Sequence, residues 1–382
     1  MKVRAASVTV RPLLITETYP PDRGGMAQSC DRIVRGLRAR GLAADVVHVS
    51  ARYKGVQVEE QQGGRLVRAE AAQDLPHSLN LLWQVLSHAA AGCTHVMAFG
   101  GTVPLLCAPA FAAWLELPLV TMLRGNDFDV GVFCPRRGPV LREALARSAA
   151  VCVVTSDHQR RVAKLFPNVR VSLVANGIDA RAFAVLDMDR SRSQSFRDAQ
   201  VDADRRVIGL FGQLKQKKGG TAFLEALCAS PLRGRAHLLI VGELEAPLAE
   251  RLQQMQPEVA STQQPFMDRL ELLPWYAACD LVALPSHYDG LPNVLLEGGA
   301  LGLPVLASSA GGMADVLQGE SAAFTFDPGD VDGCGRALDH ALGAPADQLR
   351  RVGRALQTRV LEHYTAQQEA ARYRTLLEQT RR

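Results

Sequence analysis

Two carboxylates, Asp289 and Glu297, stand eight residues apart in DGLPNVLLEGG, between the apolar run CDLVALPS and a helical pattern. Pro292 falls in the first turn of that pattern, where a missing N–H removes no intrahelical bond. The segment therefore reads as strand, turn, helix. Unbonded amides at the start of such a helix suit an anion, a pyrophosphate for example. Glu297 lies roughly 7 Å further along the axis at the rise of an α-helix. Carboxylates are poor partners for phosphate and good acceptors for hydroxyls. Acids on both sides of an anion site thus fit a ligand laid out as hydroxyls, diphosphate, hydroxyls, which is the layout of a nucleotide-sugar. A second reading of the same residues is equally open: Asp289 caps the helix and Glu297 belongs to a solvated face.

Three other stretches carry chemistry-capable residues. GQLKQKKG (212–219) offers Lys215, Lys217 and Lys218, either as a cationic cradle or as a solvated basic turn. In DRGGMAQ, Gly24 and Gly25 let a backbone approach a ligand closely at a helix start, or simply make a tight turn. TMLRGNDFD places Arg124 before Gly125, Asn126 and Asp127. The planar fork of Arg124 can hold a phosphate or another anion, but it cannot act as a base. Asp127 either serves an acceptor or orients Arg124, for instance as an ion pair. His95 in THVMAFGG ends an apolar strand and reads as a core histidine, whereas His287 and Tyr288 adjoin Asp289. No Asp-x-Asp and no histidine cluster calls for a metal.

These residues need a scaffold, and both halves of the chain share one grammar of apolar strand, Gly-rich turn and amphipathic helix. RPLLITETYPP, ADVVHVS, THVMAFGG, LPLVTMLRGND, AAVCVVTS and VRVSLVANGID are the expected strands of the first half. RVIGLFGQL, AHLLIVGE, LEL, CDLVALPS and LPVLASS are those of the second. Strands alternating with helices imply parallel sheets covered on both faces. The polar segment 184–206 reads as a connection. The expected organisation is thus a first domain over 1–183, a linker over 184–206 and a second domain over 207–363, with a helix over 364–382 returning to the first. In each doubly wound sheet a ligand binds outside the carboxyl ends of the strands, so a cleft between two such domains is the natural site.

With 382 residues the chain suits two cores, and 47% hydrophobic with 21% charged residues describes a globular protein. No apolar run is long enough to span a membrane, and MKVRAASVTV lacks the apolar region of a leader. Eight scattered cysteines without a C-x-x-C pair read as buried, reduced thiols of a cytosolic protein. Residues 1–180 hold 21 Lys/Arg against 14 Asp/Glu, the remainder 22 against 25. In the first helix Ile33, Val34 and Leu37 face a core, with Arg32, Arg35, Arg38 and Arg40 outside. That face is either plainly solvated or a contact for an anionic surface.

The run CDLVALPSHYDGLPNVLLEGGALGLPVLASSAGGMADVL resembles the donor segment of the retaining glycosyltransferases of family 4, with YPPDRGG, VANGID and GQLKQKKG in the family's order. The resemblance covers nearly the whole chain. It implies the GT-B fold, two Rossmann-like doubly wound α/β domains facing across a cleft. It implies that Glu297 holds the donor ribose and that Asp289, where the family usually has Glu, lies by the donor sugar. The amides of Gly290, Leu291, Asn293 and Val294 would hold the phosphates. In GQLKQKKG, Gly212 and Lys218 match the pattern, while Gln213 stands at a usual Arg, so that Lys215 or Lys217 would compensate. Phe266, in QQPFMD, falls where the base is cradled. Gly24 and Gly25 would lie by diphosphate and acceptor. Arg124 replaces a common His and would act at the reacting centre, with Asn126 and Asp127 toward the acceptor.

The implied activity is retaining transfer of a hexose-type sugar from a nucleotide-sugar, UDP- ahead of GDP-, to a hydroxyl of a lipid-linked glycan or polysaccharide. No cofactor or metal is implied. Same-face attack, with the departing phosphate accepting the acceptor's proton, fits a site with one short acid and much diphosphate stabilisation. A cytoplasmic location at the inner membrane face, with a peripheral contact through the basic first domain, is the matching expectation, and no nucleic-acid partner is expected. Two other readings stay open: a non-catalytic nucleotide-sugar-binding subunit, motivated by Asp289, Gln213 and Arg124, and a nucleotide-sugar isomerase. A dinucleotide dehydrogenase fits less well still, since no G-x-G-x-x-G follows a first strand.

Overall fold

The computed structural model describes residues 9–71, 74–255 and 258–381. Residues 1–8, on which the reading of the N-terminus rests, and Arg382 of the final helix lie outside the described residues. The chain divides into two compact units. One runs to Ala175 and includes the segment from Ala366; the other is Asn176–Thr365.

In the first unit, eight strands form one sheet: β1 (Pro12–Thr16), β2 (Asp45–Ser50), β3 (Val56–Gln61), β4 (Gly64–Glu70), β5 (His95–Phe99), β6 (Leu119–Met122), β7 (Ala150–Val153) and β8 (Val171–Leu173). Their order is β3-β4-β2-β1-β5-β6-β7-β8, parallel except for the antiparallel β3–β4 hairpin at one edge. Every residue of β1, β5, β6 and β7 is buried. That follows from helices covering both faces, and it explains why these strands read as unbroken apolar runs rather than alternating ones.

The second unit carries β9 (Arg206–Leu214), β10 (Ala236–Leu244), β11 (Ala260–Gln264), β12 (Leu281–Leu284), β13 (Val305–Ser308) and β14 (Thr325–Phe326), in the order β11-β10-β9-β12-β13-β14, all parallel. Strand order reverses between β1 and β5 in the first sheet and between β9 and β12 in the second. These reversals open the crevices where doubly wound sheets take ligands.

Three expectations are corrected. The strand expected at LEL (270–272) is a turn entering the helix Leu273–Ala278, and the edge strand is instead the polar β11. Segment 184–206 is not a loose connection. It contains the helix Asp187–Gln200, whose Phe196 packs on Trp275 at 5.4 Å between ring centroids and whose Arg197 pairs with Asp280 at 3.1 Å. It belongs to the second unit, which begins at Asn176, before the expected boundary.

The third correction concerns the helix Gly25–Ala39. Apolar residues at 30, 33, 34 and 37 make its buried stripe, and Gly41 at φ 78° ends it in a left-handed turn. Its arginines do not form one outer face. Arg32 is only 8% exposed and grips Glu369 with two bonds, of 2.7 and 3.3 Å. Arg38 folds onto the Ala44 carbonyl and Gln61, leaving Arg35 and Arg40 exposed. Glu369 lies on the final helix, Ala366–Thr380, which packs so closely that a Cβ on Gly36 would come within 2.9 Å of the Ala370 Cβ.

All eight cysteines are free thiols, six of them buried. His95 is fully buried, with Nδ1 2.8 Å from the Thr94 hydroxyl. Burial lowers its pKa from 6.5 to about 4. The unfolded chain therefore binds the extra proton first, and stability present above pH 6.5 is lost as pH falls toward about 4. A His95→Gln variant is expected to show a flatter dependence of Tm on pH across that window. A slope identical to that of the parent would remove His95 as its source.

Candidate functional site

In the second unit, Lys218, Asp289 and Glu297 gather around the carboxyl ends of β9 and β12. Lys218 closes the 3-10 turn Gln216–Lys218, and Gly219 follows at φ 67°. A Cβ on Gly219 would overlap the Pro285 carbonyl, so glycine lets this turn dock on the end of β12. The His287 amide donates to the Lys217 carbonyl at 2.9 Å, fixing the same junction. Lys218 Nζ then meets the Asp289 carboxylate in a part-buried ion pair.

The other Asp289 oxygen accepts the Gly290 amide at 3.0 Å. Asp289 does not cap the helix, whose N-cap residue is Pro292. Behind the turn, Gly312 N donates to Gly290 O at 2.8 Å, and a side chain at Gly311 would overlap the Asp289 carbonyl. Asn176 Nδ2 donates to Leu291 O at 2.6 Å. The turn carrying Gly290 and Leu291 is thus pinned from both sides. Asn293 and Val294 open the helix Asn293–Ala300, whose first amides have no intrahelical acceptor.

Glu297 is not a solvated face residue. It is 5% exposed, its Oε2 accepts the Tyr276 hydroxyl at 2.9 Å, and its Oε1 lies 3.6 Å from Arg269 Nε. Tyr276 is fully buried and stacks on Phe211 at 3.9 Å. Burial, reinforced by Glu297, raises its pKa well above 10, so it stays a donor and orients the carboxylate. Gly212 has φ 99°, and Gly242 leaves room for its carbonyl. Gln213 does not point into a cationic cradle: its amide donates to Glu243 Oε2 at 3.2 Å on the neighbouring β10. Lys217 Nζ lies 5.7 Å from the centre of the Tyr288 ring, and Lys215 is exposed. Phe266 is half-buried in the loop after β11.

In the first unit, Gly24 at φ 108° precedes the helix Gly25–Ala39 with open space where a side chain would stand. Arg124 ends the segment after β6. Asp127 spends its carboxylate on the loop itself. Its carboxylate takes the amides of Arg124, Gly125 and Phe128 at 2.7, 2.8 and 3.0 Å and so folds the loop. Burial raises its pKa and these amides oppose the rise. Asn126 is exposed. A Cβ on Gly100, at the end of β5, would meet Asp127 Oδ2 and Met26 Cε at 3.0 Å and Arg124 Cγ at 3.3 Å. Both candidate loops of this unit therefore converge at its strand reversal. Nearby, Glu17 accepts the amides of Thr102 and Val103 at 3.0 and 2.6 Å, so the start of the helix Thr102–Trp114 already holds a carboxylate of the chain itself.

Sequence patterns missed Tyr276, Arg269, Asn176 and Glu17. Tyr276 reads as ordinary core, and the others touch the site through backbone or charge contacts that spacing does not encode.

Residues 24–177 match the model of the glycosyl transferase 4-like domain, and residues 205–343 match that of glycosyl transferases group 1. The chain belongs to the family 4, group 1 glycosyltransferases. This glycosyltransferase is 26% identical to the GDP-mannose-dependent alpha-(1-6)-phosphatidylinositol monomannoside mannosyltransferase of Mycolicibacterium smegmatis, over 87% of the chain and 89% of that protein. It is 25% identical to the D-inositol 3-phosphate glycosyltransferase of Jonesia denitrificans, over 99% and 96%. Among solved structures, Anabaena HepE in complex with UDP and glucose superposes with a TM-score of 0.78 at 17% identity, over 97% of this chain and 100% of that one. Sucrose-phosphate synthase from Thermosynechococcus elongatus gives 0.77 at 18%, over 97% and 98%. The fold of the glycosyltransferase is GT-B, with two Rossmann-like α/β domains. Among the described residues no helix is long and apolar enough to cross a membrane, and no three His, Cys, Asp or Glu side chains gather as a metal site would require.

Proposed function

We propose that this glycosyltransferase transfers a hexose-type sugar with retention of configuration from a UDP- or GDP-sugar to a hydroxyl of a lipid-linked glycan or polysaccharide. The observation that carries the reading is the Lys218–Asp289 pair at the strand reversal of the second unit, with the oriented carboxylate of Glu297 one helix away. Lys218 and the amides following Pro292 stabilise the diphosphate, whose charge grows as the glycosidic bond breaks. Glu297 accepts the ribose hydroxyls and Asp289 those of the sugar. The departing phosphate takes the acceptor's proton, so no protein base is needed. Arg124, fixed by its loop, binds an anionic group of donor or acceptor. Any contact with an anionic membrane surface through the first helix falls to Arg35 and Arg40, which stay exposed while pairing with Asp31 and the Gln367 carbonyl, since Arg32 and Arg38 are turned inward.

A panel of UDP, GDP, ADP and their sugars tests the donor. At 100 times Kd a ligand of the native state adds about 2.7 kcal/mol, enough for a clear rise in Tm. A rise selective for UDP or GDP and its sugars is the expected result; no rise with any of them in folded protein overturns the reading. The anomeric configuration of the first product, followed by NMR, tests retention.

A further inference from the structure

We propose that Tyr373, on the final helix, is a positioning residue for Arg124. The proposal rests on the functional reading of Arg124 given above and adds the element that aims its side chain. Asp127 fixes the backbone of the loop; the guanidinium has holds of its own. Arg124 Nη1 donates to the Tyr373 hydroxyl at 3.2 Å, and Arg124 Cζ lies 5.0 Å from the centre of the Phe99 ring. A guanidinium has five N–H donors in one plane. Binding one of them to a fixed hydroxyl and laying the plane near a fixed ring sets the direction of the rest.

Tyr373 is itself immovable. It is fully buried, in the same apolar cluster as Ile33, Val34, Leu37, Phe99 and Met122. Burial pushes its pKa far above the ordinary phenol value, so it is a neutral hydroxyl at every working pH. The helix beneath it is locked by the buried Arg32–Glu369 pair and by the close approach of Gly36 to Ala370. The hydroxyl contributes nothing to that packing that a phenyl ring would not, so its position 249 residues from Arg124 in sequence is accounted for by the bond it accepts.

The test is a double-mutant cycle in the full-length protein with two readouts. One is nucleoside diphosphate release from the donor giving the largest thermal shift. The other, independent of turnover, is the rate at which phenylglyoxal modifies Arg124, read by peptide mass spectrometry against exposed Arg35. Tyr373→Phe is expected to lower kcat/KM about 5–10-fold, to speed modification of Arg124 relative to Arg35, and to have no further effect in an Arg124→Ala background. Tyr373→Phe with parental turnover and parental modification rate overturns the proposal while leaving Arg124 functional. A loss of equal size in the Arg124→Ala background also overturns it, because Tyr373 then acts through packing alone. If Arg124→Ala turns over like the parent, the functional reading of Arg124 fails. The modification rate then decides by itself: an unchanged rate overturns the positioning, and a faster one supports it. Should Tyr373→Phe unfold, Phe99→Leu with the same modification readout tests the other side of the clamp, an unchanged rate counting against it.

Discussion

Lys218→Ala is expected to lower kcat by about 10²–10³-fold, the loss typical of deleting one preorganised donor to developing charge. Donor affinity should change far less, because the diphosphate carries less charge on its bridging oxygen before the bond breaks than after. The structure sharpens this expectation. Lys218 is held by a turn that only glycine at 219 allows, and its ammonium is already directed at Asp289. Lys218→Arg keeps the charge but brings a wider head into a turn docked on the end of β12, so partial recovery is the expected companion result. Asp289→Asn releases the ammonium from its carboxylate and should reduce turnover more than binding. Stability should barely move in any of the three, since a partly exposed ion pair contributes little. Steady-state release of nucleoside diphosphate measures all of them. Parental turnover in Lys218→Ala would reduce Lys218 to a counter-ion of Asp289.

Glu297→Gln should weaken nucleotide binding about 10–100-fold, because hydroxyl bonds to a carboxylate are worth about 1.5–3 kcal/mol. The site distinguishes this loss from general damage. Tyr276 and Arg269 already engage the carboxylate, so the variant also disturbs a buried network. A 2′-deoxy nucleoside diphosphate separates the two effects. If Glu297 holds the ribose, the parent binds the deoxy ligand more weakly than the ribo ligand, and the variant loses that discrimination. Calorimetry on the four combinations reads it directly. Discrimination of the same size in parent and variant would take the ribose away from Glu297.

Much of the scaffold was legible in sequence because buried parallel strands leave unbroken apolar runs: PLLIT, HVMAF and LVAL need no context. The strand–turn–helix around Asp289 and Glu297 was legible for the same reason, with Pro292 marking the start of its helix. What escaped has physical causes. Strand β11, ASTQQ, lies at a sheet edge and is half-exposed, so it lacks the apolar signature, and LEL beside it mimics one. Strand β3, VQVEEQ, is equally marginal, being largely polar and exposed at five of its six residues. Arg32 looked like one of four surface arginines because spacing places it on the helix flank; only the arrival of Glu369 from the other end of the chain buries it. Asp127 was legible as an acid near Arg124, but not as a ligand of three amides, since a loop's backbone bonds leave no periodic trace. Gln213 facing Glu243 is a cross-strand pair, visible only once the register of β9 and β10 is known.

The final helix has a further bearing, on how the polypeptide is made. The segment that seals the core of the first unit leaves the ribosome only after all of Asn176–Thr365 has been synthesised. Until then the helix Gly25–Ala39 presents Arg32 without Glu369, and the cluster it shares with Tyr373, Leu376 and Leu377 lacks that side of its cover. The second unit, contiguous in sequence, can complete its own core first, reversing the usual N-to-C order of domain maturation. Termination of translation before Ala366 would therefore release a chain whose opening half, though fully synthesised, carries an open hydrophobic seam and Arg32 without its buried partner. Quality-control proteases and chaperones would meet such a product at its beginning rather than at its truncated end.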